Sequence, residues 1–133
     1  MDNKKGMKFD SKKPDLLYLF EEILDKYNID DFYSKDTKIF EDVDYSDLDY
    51  TLLPQESIDE TVRVLIYGLQ KYARDNWKYV DNWKRRYLNA CLRHLFLYFK
   101  GENLDRETKL HHLGHVSCCI TFLLSKELEK NIK

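Results

Sequence analysis

Apolar residues recur at three- and four-residue spacing in four stretches of the chain, which is the pattern of amphipathic helices. The first two predicted helices cover residues 15–27 and 56–72. The third covers residues 82–100, with apolar side chains around much of its circumference, and the fourth covers residues 110–128. Two prolines and four glycines in 133 residues leave few turn signals, so we predict an all-α bundle of about four main helices.

Two polar stretches lie outside these helices. Residues 1–13 carry five lysines and are predicted to lack regular structure. Residues 29–50 are rich in Asp and Tyr without a sustained period, which indicates an acidic insertion after the first helix that holds turns or short strands. A chain of this length is most simply one domain, residues 1–133, with its own core.

Composition and charge exclude several classes of protein. A formal net charge of −2 provides no overall field for a nucleic acid polymer, and no run of about 20 apolar residues is present to span a membrane. No signal peptide precedes the first helix, so we expect a cytoplasmic protein. Cys91, Cys118 and Cys119 match no CxxC pair and lie in apolar helical segments, where we expect small core residues.

The richest candidate chemistry lies in residues 93–119, which gather all four histidines around a short turn that contains Glu102 and Asp105. Carboxylates of this kind bind Mg²⁺ or Mn²⁺, although a solvated acidic turn has the same composition. His112, His115 and Cys119 share one helical face and could form a zinc site. Histidines at such positions more often hydrogen-bond or orient a carboxylate, and we favour that role.

A second acidic group precedes the candidate turn in the chain. Glu56, Asp59 and Glu60 are spaced to share one face of the second predicted helix and could supply further oxygen ligands. Acidic residues in a first helical turn also complement the helix dipole, so a purely structural role stays open.

Several cations and rings are candidates for substrate contacts. Arg93 and His94 could neutralise phosphate, while Arg93 could equally pair with a carboxylate. The segment KYARDNW combines two cations, an amide and an indole, a set that suits phosphate and base if exposed and the core if Trp77 is buried. The predicted substrate contacts are Lys13, Lys71, Arg74, Asn76, Trp77, Arg93 and His94.

These segments also carry a resemblance. LLPQESIDETVRVLIYGLQKYARDNW and RRYLNACLRHLFLYFKGENLDRETKLHHLGHVSCCITFLL resemble the phage and bacterial dATP/dGTP diphosphohydrolases, a branch of the all-α MazG-like nucleotide pyrophosphohydrolases. The opening GMKFDSKKPDL is similar to that family's GxKxDxGKPxL, and together the similar stretches cover residues 6–16 and 52–124.

The chain departs from the family pattern at several places. Residues 17–51 separate two segments that are nearly adjacent in relatives, Lys12 replaces a glycine, and Gln55 replaces a proline. The broader pattern has an ExxE followed by an ExxD. Glu102 and Asp105 fit the second motif, whereas the first is present only as Glu56 with Asp59, beside Glu60.

The resemblance implies a MazG-like bundle that hydrolyses (deoxy)purine nucleoside triphosphates to the monophosphate and pyrophosphate, in the host cytoplasm if a phage encodes it. Mg²⁺, or Mn²⁺, would be held by Glu102 and Asp105 with acidic residues of the second helix, while His112 or His115 orients a ligand or the attacking water. Lys13, Lys71, Arg74 and Arg93 would contact phosphate, and Asn76 and Trp77 the base. The resemblance also implies a homodimer or homotetramer.

Two other functions fit the same residues. The first is a protein that binds and sequesters a nucleotide, or a nucleotide-derived immune signal, without cleaving it. The altered first acidic motif and the insertion, which could cover a pocket, favour this alternative. The second is a helical interaction module in which the histidines are structural.

Overall fold

Four α-helices form the described part of the molecule, which in this computed structural model comprises Gly6, Lys8 and residues 10–130. They are α1 (Leu17–Lys26), α2 (Gln55–Gly68), α3 (Trp83–Phe99) and α4 (His112–Lys130). Among these residues the only β-type pairing is one isolated bridge between Leu104 and His111. The predicted all-α fold is confirmed, and none of the described helices is long and apolar enough to cross a membrane.

The limits of α3 agree with the backbone signals in the sequence, whereas α2 ends earlier than predicted. Asn82, with a φ of 48°, precedes α3, and Gly101, with a φ of 105°, follows it, so α3 lies within one residue of its predicted limits at each end. The second helix, in contrast, ends at Gly68, four residues earlier than predicted. Glycine is a poor helix former, and the chain continues from it into turns closed by a 2.8 Å hydrogen bond from the Tyr72 N–H to the Gly68 carbonyl.

The core lies mainly between α3 and α4. Its buried cluster contains Val80, Tyr87, Ala90, Cys91, Cys119 and Leu123. All three cysteines are buried and free, which confirms their predicted place in the core. Helix α2 packs on α4 at Gly114, where an added Cβ would lie 2.8 Å from Glu60 Cγ, so this close approach depends on glycine.

The segment before α1 is fixed along α3, which the sequence pattern did not indicate. Arg86 forms an ion pair with Asp10 at 2.9 Å and donates a hydrogen bond to the Lys8 carbonyl at 3.2 Å. Further along α3, Arg93 donates to the Pro14 carbonyl at 3.1 Å. Residues 1–5, 7 and 9 of the predicted basic segment lie outside the described residues.

Buried Asn89 explains why α1 begins two residues later than predicted. Its Oδ1 accepts hydrogen bonds from the backbone N–H groups of Leu16, at 2.7 Å, and Leu17, at 3.1 Å. Its Nδ2 donates to Asp15 at 3.0 Å. A side chain 73 positions away in the sequence therefore satisfies backbone donors at the start of α1.

Residues 18–53 have little contact with the core. Every residue in this stretch is exposed, and α1 contains no buried side chain. The acidic insertion forms turns and two short 3₁₀ helices, Ile29–Phe32 and Tyr50–Leu52, and no strand is present among its described residues. Of the two predicted alternatives, turns or short strands, the structure therefore has turns.

Candidate functional site

A cluster of polar side chains lies where α3, α4 and their connection meet. We call it the polar centre and define it as His94, Glu102, Asp105, His112 and His115. His94 comes from α3 and the other two histidines from α4. In the connection, the Asp105 N–H donates to the Leu110 carbonyl at 2.8 Å and the His112 N–H donates to the Asn103 carbonyl at 2.9 Å, which folds the turn back onto the start of α4.

His94 contacts both of the other histidines directly. His94 Nδ1 and His112 Nδ1 are 2.8 Å apart, and the His94 ring stacks on the His115 ring with centroids 4.4 Å apart. His112 is fully buried. Burial, aided by the neighbouring His115, lowers the pKa of His94 to about 3, and burial also lowers the pKa of His115. His94 and His115 are therefore neutral at physiological pH.

Asp105 lies beside this histidine group and is held by its own turn. Its Oδ1 accepts hydrogen bonds from the N–H groups of Thr108, at 2.8 Å, and Glu107, at 2.9 Å, while Oδ2 is 4.0 Å from His94 Nδ1. Burial acts to raise the pKa of Asp105, but the hydrogen bond from Thr108 and the nearby histidines outweigh it and the pKa is lowered. The carboxylate is thus ionised at neutral pH.

Glu102 contacts the opposite side of His112. Its Oε2 is 3.1 Å from His112 Nε2, and its Oε1 accepts a hydrogen bond from Arg106. The hydrogen bonds from Arg106 and His112 lower the pKa of Glu102. This arrangement orients the His112 ring.

The acidic residues of α2 do not join Asp105. Glu60 Oε2 accepts a hydrogen bond from the His111 N–H at 2.8 Å, and this bond is the main reason that the pKa of Glu60 is lowered. Asp59 accepts from the Gln55 side chain at 2.9 Å, and Glu56 is exposed in the first turn of α2. The predicted set of five carboxylate ligands is therefore not assembled as one group.

Within the described residues, one group of three metal-binding side chains does come together. Ligand atoms of His94, Asp105 and His112 all lie within 4.8 Å of one another. The alternative zinc site of His112, His115 and Cys119 is not formed in this part of the chain, because Cys119 belongs to the buried core cluster. Burial raises the pKa of the Cys119 thiol to about 11, which disfavours the thiolate that zinc binds.

A cavity of about 590 Å³ opens beside the polar centre, within the size range of small-molecule sites. His94, Asp105 and His115 line it, and Lys8 and Lys13 reach it from the N-terminal segment. All but one of the predicted substrate contacts line this cavity, namely Lys13, Lys71, Arg74, Asn76, Trp77 and His94. Arg93 is the exception, because it borders a smaller pocket and binds the Pro14 carbonyl.

Three of the residues predicted to contact substrate also have structural partners. Asn76 is buried and its Oδ1 accepts a hydrogen bond from the Gly6 N–H. Trp77 stacks on Phe122 with a centroid distance of 4.9 Å and an interplanar angle of 7°, so one face of its ring is occupied by the core. Lys71 pairs with Glu107 at the cavity edge.

Lys8 lines the cavity but is outside the predicted set of substrate contacts. Its ammonium group lies 5.0 Å from the centroid of the Tyr87 ring, and burial lowers its pKa. The signal was present in the opening pattern GxKxDxGKPxL, in which Lys8 and Asp10 occupy the fixed positions. That pattern marks a segment that lies against α3 and reaches the cavity.

The comparison with known families decides where this arrangement belongs. The family described as dATP/dGTP diphosphohydrolase, N-terminal, matches residues 40–133, which is more than half of the chain. The chain belongs to this family. The matched range begins within the acidic insertion and contains α2, α3, α4 and the whole polar centre. The predicted family is confirmed.

One relative extends the comparison. A dATP/dGTP diphosphohydrolase of Salmonella phage PMBT28 is 36% identical over 73 residues, which cover 55% of this chain and 24% of the relative. The match thus spans about a quarter of that protein's length. No solved structure is significantly similar to this member of the family.

Proposed function

We propose that this chain is a metal-dependent diphosphohydrolase of (deoxy)purine nucleoside triphosphates such as dATP and dGTP, which releases the monophosphate and pyrophosphate. The observation that carries the proposal is the cavity with Asp105, His94 and His115 in its wall and lysines around it. Family membership and the printed name of the phage relative support the substrate class.

The cavity has the charge pattern that a triphosphate requires. Lys8 and Lys13 of the N-terminal segment and Lys71 after α2 all line it, and their ammonium groups can neutralise phosphate oxygens. Lys71 would exchange its contact with Glu107 for a phosphate group. The apolar remainder of the lining, which includes Trp77, suits a purine ring.

Glu102 and Asp105 fit the oxygen chemistry of Mg²⁺, since both carboxylates are held ionised by their hydrogen-bond partners. Mg²⁺ or Mn²⁺, when bound, would neutralise the phosphates and lower the pKa of an attacking water. The neutral His115 ring, whose Nε2 lies 2.8 Å from Thr108 Oγ1, would orient that water or a carboxylate beside it.

A panel of nucleoside triphosphates with Mg²⁺, followed by separation of the products, tests the proposal. We expect pyrophosphate from dATP and dGTP, and we expect chelation to stop turnover and Mg²⁺ to restore it. Asp105→Asn and Glu102→Gln should abolish turnover with helical content intact, because each change keeps the shape and removes an anionic oxygen. The matched control is Glu22→Gln on exposed α1, and wild-type turnover by a folded Asp105→Asn variant would refute the assignment.

One observation favours a second candidate, a protein that binds the nucleotide without cleaving it. Glu56 and Asp59, the counterpart of the family's first acidic motif, do not meet Asp105. With fewer oxygen ligands, the cavity could hold a nucleotide by its lysines alone. Recovery of unchanged nucleotide bound to the protein in the same experiment would support this candidate over the enzyme.

A further inference from the structure

The close pair of histidines has no role in a site built only for Mg²⁺. Mg²⁺ binds oxygen ligands and keeps several waters, whereas His94 and His112 bring two ring nitrogens within 2.8 Å of each other in a buried setting. Asp105 adds a carboxylate oxygen 4.0 Å from His94 Nδ1. Two imidazoles and one carboxylate are a ligand set that first-row transition metals prefer.

The tautomer of His112 is set by its second contact. Glu102 is an ionised acceptor, so the 3.1 Å contact to its Oε2 places the proton of a neutral His112 ring on Nε2. The lone pair of Nδ1 then points toward His94. His94 Nδ1 accordingly donates a hydrogen bond to His112 Nδ1 across the 2.8 Å contact. A cation can occupy the position of the proton in this hydrogen bond. A carboxylate behind a histidine is the usual support of a metal-binding imidazole.

We infer that His94 Nδ1, His112 Nδ1 and an oxygen of Asp105 form a binding site for one divalent transition metal ion of the class Mn²⁺, Fe²⁺, Co²⁺ or Zn²⁺. Glu102 is a positioning residue that holds the His112 ring. His94 and Asp105 also line the cavity, so the remaining coordination positions face the space where a phosphate or water enters.

The geometry is within reach of a bound ion. Metal–nitrogen bonds of about 2.0–2.1 Å place two ligand nitrogens roughly 3.0–3.4 Å apart, so the histidine pair needs to open by a few tenths of an ångström. Asp105 Oδ2, now 4.0 Å from His94 Nδ1, needs to approach that nitrogen by up to about 1 Å. The neutral His94 ring must carry its proton on Nε2 when the ion binds, so that the lone pair of Nδ1 is available to the ion.

A catalytic role for this ion rests on the proposed function. Binding of the ion requires no nucleotide and can be tested separately. The full chain is stripped with a chelator and titrated with Co²⁺ while its visible absorption is followed, and Zn²⁺ affinity is measured by calorimetry. We expect one ion per chain. His94→Gln should weaken Zn²⁺ binding by more than about 100-fold and Glu102→Gln by about 10–100-fold, the range known for residues that support a metal ligand.

His111→Ala is the matched control, because this neighbouring histidine is outside the group of three and its Nδ1 accepts a hydrogen bond from the Leu113 N–H. Its Zn²⁺ affinity should equal that of the wild type. X-ray absorption of the wild-type Co²⁺ complex should show two imidazole ligands, which decides the matter even if a histidine variant fails to fold. Fewer imidazoles, no Co²⁺ spectrum, or undiminished Zn²⁺ binding by folded His94→Gln would overturn the inference.

The outcomes separate this inference from the proposed function. Ion binding without nucleotide hydrolysis would support the metal site and refute the proposed enzymatic activity. Hydrolysis with Mg²⁺ by a chain that binds neither Co²⁺ nor Zn²⁺ would support the proposed enzymatic activity and refute the transition-metal site.

Discussion

Helices α1 and α3 both carry apolar side chains at helical spacing, but α3 contains buried residues and α1 contains none. Helix α3 contains buried Tyr87, Ala90 and Cys91 and packs on α4. In α1, Leu19, Phe20 and Ile23 remain 43–46% exposed. Apolar periodicity thus predicts a helix with an apolar side, and the tertiary structure determines whether that side has a partner.

The region of α3 and α4 and the region of residues 18–53 also differ in the side chains that they present. The α3–α4 region combines the core, the polar centre and the fixed N-terminal segment, whereas residues 18–53 carry many exposed rings and aliphatic side chains. Exposed apolar surface on this scale is typical of a surface that another molecule covers. We propose that a second copy of the chain covers it, in a homodimer or homotetramer.

The largest expected effect is the contrast in stability between the two regions. Leu123→Ala removes a buried side chain and should lower the free energy of unfolding by about 2–5 kcal/mol. The matched change Leu52→Ala, at a position 81% exposed in the single chain, should alter it by less than about 0.5 kcal/mol at concentrations low enough to keep the chain monomeric. Denaturant unfolding measures both. Equal losses would show that residues 18–53 pack against a core that the single chain does not reveal.

A smaller effect is expected from pH, because the polar centre holds neutral histidines. The pKa values of His94, about 3, and of His115 lie below the ordinary 6.5, so on acidification the unfolded chain binds protons that the folded chain does not. We expect the contribution of His94 to be lost progressively as the pH falls from 6.5 toward 3, by up to about 1.4 kcal/mol per pH unit, and that of His115 to be lost from pH 6.5 down to its own lowered pKa.

The measurement compares unfolding of the chelator-treated chain at pH 6.5 and pH 5. Asp105 and Glu102, whose pKa values are also lowered, lose their stabilising contribution only below the ordinary values of 3.8 and 4.5, so this window isolates the histidines. His94→Gln should flatten the dependence, while His111→Ala should leave it unchanged. An unaltered slope in His94→Gln would mean that His94 is not the group responsible.

The substitutions that test the oligomer are expected to change the free energy of unfolding least. Phe20→Glu with Leu24→Lys places charges on the exposed face of α1 and should leave helical content intact while it dissociates the assembly. Light scattering measures the mass, with Glu22→Gln as the control. A wild-type mass of 16.1 kDa at micromolar concentration would show that the exposed face has no partner copy.

The sequence by itself determined the local structure and the content of the site. Helix α3 begins and ends within one residue of its prediction because Asn82 and Gly101 adopt positive φ angles at its two ends. Residues 93–119 predict a candidate site, because local composition places histidines and carboxylates in one short segment. These features depend on neighbouring residues, and sequence patterns report them directly.

Only the tertiary structure decided which of these side chains meet. His94 and His112 are 18 residues apart and pair because α3 packs on α4, while Glu56 and Asp59 of α2 remain apart from Asp105. Asn89 fixes the start of α1 from 73 positions away. A helical period specifies a face but not the element that covers it, so contacts between distant segments depend on how the whole chain packs.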